Sequence, residues 1–355
     1  MNMKKKRIPL TLITGFLGSG KTTLLNRMLR DPLLAESAVI INEFGEISID
    51  HFLVEKTTEG IIELANGCLC CDLRSDLIDT LTDLIDRVHR GNIKQLNRII
   101  IETTGIADPV PIVQALLSHP TLIQAVSIDA ILATFDTLST LSILEHYPEI
   151  RKQLVLADKI VLTKTDLTAS KVLLNTLINT LKMINPTAQI IDVHSDHCCP
   201  SILINKTLWD EKGENTQLKQ WLTPAPHDHA HHLTIRAFSL DCEEPIDYAT
   251  IETFLDLLNN LYGAKLLRIK AIIALRDDPQ RPLVLHGIQT FFHPPIRLPA
   301  WPKGITQTRF VIIADGVEKE AIQKLLDAFL NKPAIDTADK TAILDNPLII
   351  PGMKF

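Results

Sequence analysis

Short runs of apolar, largely β-branched residues recur along the first two thirds of the chain, and the stretches between them repeat their apolar positions at helical spacing. The runs Leu10 to Thr14, Ala38 to Ile41, Ile99 to Ile101, Ile131 to Phe135, Lys159 to Thr163 and Gln189 to Val193 have strand length. The stretches Thr23 to Leu29 and Leu73 to Val88 read as amphipathic helices. Strands alternating with helices predict parallel βαβ units and a mostly parallel, helix-covered sheet.

The pattern breaks near residue 223. Pro224-Ala225-Pro226-His227-Asp228-His229-Ala230-His231-His232 has no apolar periodicity and reads as a linker. Beyond it, Leu233 to Leu240 alternates like a half-exposed strand and Ile251 to Leu261 has helical spacing. Further strands are predicted at Ala264 to Leu275, Leu283 to Thr290 and Arg309 to Ile313, then a helix from Val317 to Leu330. The expected organisation is an α/β domain over 1–222, a histidine-containing linker over 223–232 and a smaller α+β domain over 233–355.

Composition narrows the class. The 355 residues are 46% hydrophobic and 22% charged, which excludes a disordered chain, and no apolar run is long enough to span a membrane. A net charge of -6 argues against a general nucleic-acid-binding surface. Lys4-Lys5-Lys6-Arg7 before Ile8 to Leu12 superficially resembles a signal peptide, but no small-residue cleavage site follows, so a cytoplasmic protein is expected. Six cysteines are too few for a disulfide framework at this length, and five fall in two clusters, Cys68/Cys70/Cys71 and Cys198/Cys199. Clustered thiols point instead to metal or redox chemistry.

Gly15-Phe16-Leu17-Gly18-Ser19-Gly20-Lys21-Thr22 fits the G-x-x-x-x-G-K-[ST] pattern, directly after a predicted strand and before a predicted helix. The glycines let backbone N–H groups of Gly15, Gly18, Ser19 and Gly20 turn inward at phosphate oxygens, and the helix that carries Thr22 and Thr23 adds its positive end. Lys21 would reach the β and γ phosphates and Thr22 would ligate Mg²⁺. A second phosphate-side element is expected at the end of a neighbouring buried strand. Ile99-Ile100-Ile101-Glu102-Thr103-Thr104-Gly105 supplies it: Glu102 for a Mg²⁺-bound water, Gly105 for a backbone N–H near the γ phosphate.

Thr163-Lys164-Thr165-Asp166 follows the apolar run Ile160 to Leu162, where an open α/β sheet presents loops to a ligand. An ionised Asp166 only accepts, so it complements the N1–H and N2–H₂ donors of guanine, while adenine opposes it with a lone pair. The Lys164 stem can cover one face of the base. The usual guanine motif begins with Asn where this chain has Thr163, so GTP is favoured over ATP by the donor pattern alone.

Asn66-Gly67-Cys68-Leu69-Cys70-Cys71 places three thiols within four residues, able to converge on one soft or borderline ion. Three protein ligands leave a zinc-like site open at one position, and an open site can pass its metal on. Buried inert cysteines or a redox dithiol are the competing readings.

These motifs together resemble the CobW-like family of P-loop GTPases, which includes cobalamin-synthesis accessory proteins, zinc metallochaperones and YjiA-type proteins. The resemblance rests on Gly15 to Leu25, on Asn42-Glu43-Phe44-Gly45-Glu46, on Gly67-Cys68-Leu69-Cys70-Cys71, on Glu102 to Pro109 and on Thr163 to Asp166. It continues through Lys265 to Lys270 and Leu285 to Gln289. It implies a P-loop GTPase fold, GTP with Mg²⁺, and Zn²⁺ or Co²⁺ as cargo at the thiols, delivered to a client metalloenzyme. It leaves a homodimer open and implies neither nucleic acid nor membrane as partner. It also implies that Asn42 to Asp50 acts as a switch, with Glu43 a metal ligand and Glu46 joining Lys21 and Glu102 in catalysis. His119 matches a histidine that some relatives place near the thiols, an auxiliary ligand or a surface turn residue. Ile41 stands where some relatives carry an acidic residue, so that ligand is missing here.

Other histidines are less committed. His227, His229, His231 and His232 are either a borderline-metal tract or a solvated linker. His194, His197, Cys198 and Cys199 end the last strand of the first domain, where a structural or base-side role is favoured. Two further functions share the phosphate loop: nucleotide-controlled metal sequestration or sensing without delivery, and a small-molecule kinase.

Overall fold

The computed structural model describes residues 7–41, 61–63, 73–93, 95–139, 141–168, 170–204, 234–302 and 305–330. In chain order the first part contains β1 (Ile8–Gly15), α1 (Lys21–Leu29), β2 (Ser37–Ile41), β3 (Ile61–Glu63), α2 (Leu73–His89), β4 (Arg98–Glu102), α3 (Val110–Ser118), α4 (Pro120–Ala125), β5 (Val126–Asp136), α5 (Ile143–His146), α6 (Pro148–Leu156), β6 (Lys159–Thr163), α7 (Lys171–Ile184), β7 (Gln189–Asp192) and α8 (Pro200–Leu203). Seven strands form one sheet in the order β3-β2-β4-β1-β5-β6-β7, every pair parallel.

The sequence explains the arrangement. Strands β2, β4 and β6 are buried at every position, as a sheet with helices on both faces requires, and this is why they read as unbroken apolar runs. One apolar layer joins Leu10, Leu12, Ile99 and Ile101 to Leu77, Leu81 and Leu84 of α2 and Val113 and Leu116 of α3. The other joins Ile13, Val39 and Ile100 to Leu24, Leu25 and Met28 of α1. Alternate residues of each strand feed the two layers. The central strand β1 thus ends at Gly15 with β4 on one side and β5 on the other, and the loop that follows it lies where both neighbours can reach it.

The second part contains β8 (Ile235–Cys242), α9 (Tyr248–Tyr262), β9 (Leu266–Leu275), β10 (Asp278–Ile288), β11 (Phe291–Phe292), β12 (Ile296–Arg297), β13 (Thr308–Asp315) and α10 (Lys319–Phe329). Its sheet runs β11-β10-β9-β13-β8 with β12 beside β10, all antiparallel, as expected for an α+β unit. Helices α9 and α10 cover one face, where Phe254 meets Phe310 and Phe329 edge to face.

Strand β9 is buried along its whole length. Its residues Ile269, Ala271, Ile273 and Leu275 point to the helices, so alternation sends Arg268, Lys270 and Ile272 to the opposite face. There Arg268 donates to the carbonyl of Leu156, at the end of α6, and to the carboxylate of Asp158, while Lys270 Nζ lies 3.6 Å from the same carboxylate. Asp158 Oδ2 also accepts from the backbone N–H of Ile131 at 3.0 Å. Burial opposes the charge on Asp158, but Arg268, Lys270, that N–H and Lys159 outweigh it and hold the carboxyl below its usual range. This buried ionic junction, with Leu267 and Ile313 packed against Leu154 and Leu181, fixes the second sheet to the first. Among the described residues no helix is long and apolar enough to cross a membrane.

Candidate nucleotide-binding site

The loop after β1 is held by its own glycines and by β5. Gly15 has φ 143°, and a Cβ there would lie 2.2 Å from Thr134 Oγ1 and 2.6 Å from the Thr134 carbonyl, so no side chain fits. Ser19 then hydrogen-bonds through Oγ to Thr134 Oγ1 at 2.6 Å, both buried. Helix α1 starts at Lys21 with no side-chain cap and no acidic residue in its first turn, which leaves its N-terminal amides and their partial positive charge directed into the loop. The ammonium of Lys21 folds over the loop, donating to the Phe16 carbonyl at 3.1 Å. Thr23, one position past Thr22, is exposed.

Thr22 turns inward. Its hydroxyl donates to Glu102 Oε1 at 2.7 Å, and both residues are buried although they stand 80 positions apart. Glu102 pairs with Ile13 at the tip of β4, and the register of β1 and β4 is what brings the carboxylate to the first turn of α1. A hydroxyl and a carboxylate meeting beside an amide-lined loop are hard oxygen donors suited to Mg²⁺. The buried Thr104 hydroxyl, two residues beyond Glu102, has no hydrogen-bond partner among the described residues. A glycine cradle, an uncapped helix end and these oxygens fit a Mg²⁺-bound triphosphate.

Gly105 packs against the loop directly. A Cβ on it would lie 2.6 Å from Leu17 N and 2.7 Å from Leu17 Cα, so no side chain fits between the segment after β4 and this loop. Helix α6 secures this segment from behind: Gln153 Nε2 donates to the carbonyls of Gly105 and Ala107 at 3.2 and 3.0 Å, and Lys152 pairs with Asp108 at 2.7 Å.

The Thr163 to Asp166 segment leaves β6 beside the glycine loop after β1. Thr163 Oγ1 donates to the Ser19 carbonyl at 2.8 Å. Lys164 adopts the left-handed conformation at φ 56°, with its ammonium on Asp136 at 2.6 Å. Thr165 Oγ1 donates to Asp192 Oδ1 at 2.7 Å, and the same oxygen accepts the backbone N–H of His194 at 2.9 Å. His194 Nε2 lies 2.9 Å from Asp166 Oδ1, both side chains more than half exposed at 54% and 56%.

The structure therefore brings Gly15, Gly18, Ser19, Gly20, Lys21, Thr22, Glu102, Gly105, Thr163, Lys164 and Asp166 to one end of the parallel sheet. Glu43, Glu46, Cys68, Cys70, Cys71 and the His227 to His232 tract lie outside the described residues. His119 closes α3 at the far end of that helix from Gly105, with its Nδ1 buried and no hydrogen-bond partner among the described residues. No group of three or more His, Cys, Asp or Glu side chains suited to a metal occurs among the described residues. In particular Cys198 is buried with its thiol pKa raised by burial, and Cys199 Sγ contacts Ser201 Oγ at 3.1 Å. Sequence reasoning missed Thr134, Asp136, Gln153 and Asp192, none of which carries a motif. Only the place of Thr134, Asp136 and Asp192 near strand ends hints at them, while Gln153 lies inside α6 and gives no such hint.

Comparison with known proteins gives concordant matches. The CobW/HypB/UreG nucleotide-binding domain family matches residues 9–192, and the cobalamin synthesis protein cobW C-terminal domain family matches residues 235–330. The chain is 33% identical over 288 residues to the zinc chaperone YjiA of Escherichia coli, covering 80% of this chain and 87% of that protein. It is 28% identical over 376 residues to the zinc-regulated GTPase metalloprotein activator 1 of Saccharomyces cerevisiae, covering 91% and 83%. The crystal structure of Zn(II)-bound YjiA GTPase from E. coli superposes with a TM-score of 0.68 at 26% identity, covering 92% of this chain and 99% of that one.

Proposed function

Because the chain belongs to the CobW/HypB/UreG family, with the CobW C-terminal domain following its nucleotide domain, we propose that it is a GTP-hydrolysing metallochaperone that carries zinc at Cys68, Cys70 and Cys71 and yields it to a client metalloenzyme. The observation that carries the reading is the buried Thr22–Glu102 contact inside a glycine cradle, in a chain whose three clustered thiols end two residues before α2 begins at Leu73.

In this reading Lys21 and the amides of Gly18 to Thr22 hold the β and γ phosphates. Thr22 and Glu102 hold Mg²⁺, which supplies charge neutralisation at the phosphates when bound. Gly105 and Thr104 face the terminal phosphate, and Asp166 reads guanine. Glu43 and Glu46, on the segment between β2 and β3, we assign to metal and water respectively. That segment and the thiol motif flank β3 in sequence, so an ordering of one around γ phosphate alters the ligand geometry of the other. The domain division at 1–222, 223–232 and 233–355 belongs to the same proposal, as does His119 as an auxiliary ligand.

The relatives named above as zinc chaperone and zinc-regulated activator support zinc over cobalt as cargo. The test is zinc affinity, measured by chelator competition with a non-hydrolysable GTP analogue, with GDP and without nucleotide, alongside phosphate release. We expect about tenfold or more between nucleotide states. The Cys70→Ala chain should lose that dependence while still releasing phosphate from GTP. Equal zinc affinity in all three states would overturn the coupling. Retention of zinc in every state with none passed to an apo-acceptor would point instead to sequestration.

A further inference from the structure

Asp166 does not stand alone at the mouth of the base loop. The turn after β7 is built so that one imidazole meets its carboxylate. Asp192 Oδ1 accepts both the Thr165 hydroxyl, from the base loop, and the His194 backbone N–H, from the β7 turn. Ser195 closes the turn onto the Asp192 carbonyl through its N–H at 3.0 Å and its hydroxyl at 2.7 Å. With both loops fixed to Asp192, His194 Nε2 is delivered to within 2.9 Å of Asp166 Oδ1.

We propose that His194 is a positioning residue for base recognition, holding the Asp166 carboxylate in the orientation that engages both N1–H and the N2 amine of guanine. The proposal rests on the reading of Asp166 given above. A carboxylate hinges about its terminal torsion, which is broad rather than sharply staggered, so an exposed Asp166 left to itself samples orientations in which only one oxygen faces the base. Each carboxylate oxygen carries two acceptor sites. Oδ1 therefore accepts from His194 on one side and keeps a lone pair for the base edge on the other. An imidazole with its proton on Nε2 makes this bond without taking an acceptor away from guanine. The gain is in geometry, so it falls on the two-point contact and less on a one-point contact.

Nucleotides that differ only at the purine 2-position read this out. GDP offers N1–H and the N2 amine, IDP offers N1–H alone, and XDP replaces the amine by a carbonyl. Equilibrium binding of the three is measured on the full-length chain and on its His194→Ala, His194→Gln and Asp166→Asn variants. Thermal melting confirms folding, which both exposed sites favour. His194→Ala should weaken GDP by about three- to tenfold while IDP changes less than twofold, so the GDP to IDP preference collapses. His194→Gln keeps a donor and should restore part of that preference. Equal weakening of GDP and IDP, or no weakening of either, overturns the role of His194. Asp166→Asn tests the underlying reading separately: it should lose GDP and gain XDP. If it binds GDP as wild type does, the assignment of Asp166 fails, and the proposal for His194 falls with it whatever the His194 variants show.

Discussion

The hydroxyl of Thr163 donates to the carbonyl of Ser19 at 2.8 Å across 144 residues of sequence, and this bond joins the loop proposed to read the base to the glycine loop after β1. The same hydroxyl lies 3.3 Å from the Phe135 carbonyl, and the Thr163 methyl would sit 3.3 Å from a Cβ on Gly20. At the position where the usual guanine motif carries Asn, Thr163 thus braces one loop against the other.

Replacing Thr163 by Val keeps the methyl and removes the donor. The buried Ser19 carbonyl then loses its side-chain partner, which should lower stability by about 1–2 kcal/mol. GDP affinity should fall by about tenfold, because the phosphate loop is no longer held at its base-side end. Thr163→Asn restores a donor and should recover most of that affinity. Urea unfolding and equilibrium GDP binding check both outcomes, and Thr163→Val with unchanged affinity would show that the bond braces nothing.

Gly105→Ala should be far more damaging than its one methyl suggests. The added carbon meets Leu17 N and Cα as well as Leu17 Cδ2, and backbone atoms cannot step aside as a side chain does. The segment from Thr103 to Asp108 must then move off the phosphate loop against the hold of Gln153 and Lys152. We expect GTP turnover to drop by about a hundredfold, the scale of a 1 Å displacement at a reacting group, with GDP affinity changed much less. Leu17→Ala in the same chain should not rescue turnover, since it removes only one of the three close contacts. Single-turnover phosphate release with direct nucleotide binding separates the two effects.

The nucleotide half was legible in the sequence because its signals are local. A strand, a glycine loop and a helix start are contiguous, and buried parallel strands such as Ile99 to Ile101 leave uninterrupted apolar runs. The bounds moved little, β1 running from Ile8 to Gly15 against the expected Leu10 to Thr14. What escaped was set by tertiary register. Strand β5 is eleven residues long, and its first half, Val126 to Ala130, carries Ser127 and Asp129, which broke the apolar pattern. Asp129 is paired with Arg98 at 2.5 Å at a bulge between β1 and β5, a contact no local pattern encodes. The junction of Asp158 with Arg268 and Lys270 was hidden for the same reason: the two cations lie inside a ten-residue strand, and their partner carboxylate stands more than a hundred residues away in sequence.

That junction predicts a severe cost for Asp158→Asn. The substitution leaves Arg268 and Lys270 buried without their carboxylate, and breaking a buried pair from one side typically costs about 3–5 kcal/mol. Asp158→Asn combined with Arg268→Met should be closer to wild type than the single variant, because the uncompensated guanidinium is gone. A double-mutant cycle read by chemical unfolding measures the coupling, and simple additivity of the two losses would show that the groups act independently.

Acid acts on the fold through two stacked imidazoles, His286 in β10 and His293 directly after β11. His286 and His293 lie with ring centroids 4.6 Å apart and planes 8° from parallel, and His286 Nε2 is 3.3 Å from Arg268 Nη2. Burial lowers the pKa of His293 to about 4, with Arg268 and Arg7 adding to the effect and Asp158 opposing it. His286 is pushed well below the usual value for the same first reason, with His293, Arg268 and Lys270 adding to it. Both folded values lie below the unfolded one, so at pH between about 4 and about 6.5 the unfolded chain binds protons that the folded chain refuses. Stability is therefore lost as pH falls through that window and is regained above it. Asp158 acts on the other side of it, because its depressed carboxyl gives up stability only below the ordinary carboxylate range. Replacing His293 by Phe keeps a ring against His286 and removes one proton site whose Nε2 has no hydrogen-bond partner among the described residues. The variant should match wild type near pH 7 and lose roughly 2 kcal/mol less on going to about pH 5, at the 1.4 kcal/mol per pH unit that one proton commands. Urea unfolding at both pH values gives the comparison, and equal losses in the two chains would mean that His293 takes up its proton in the folded state after all.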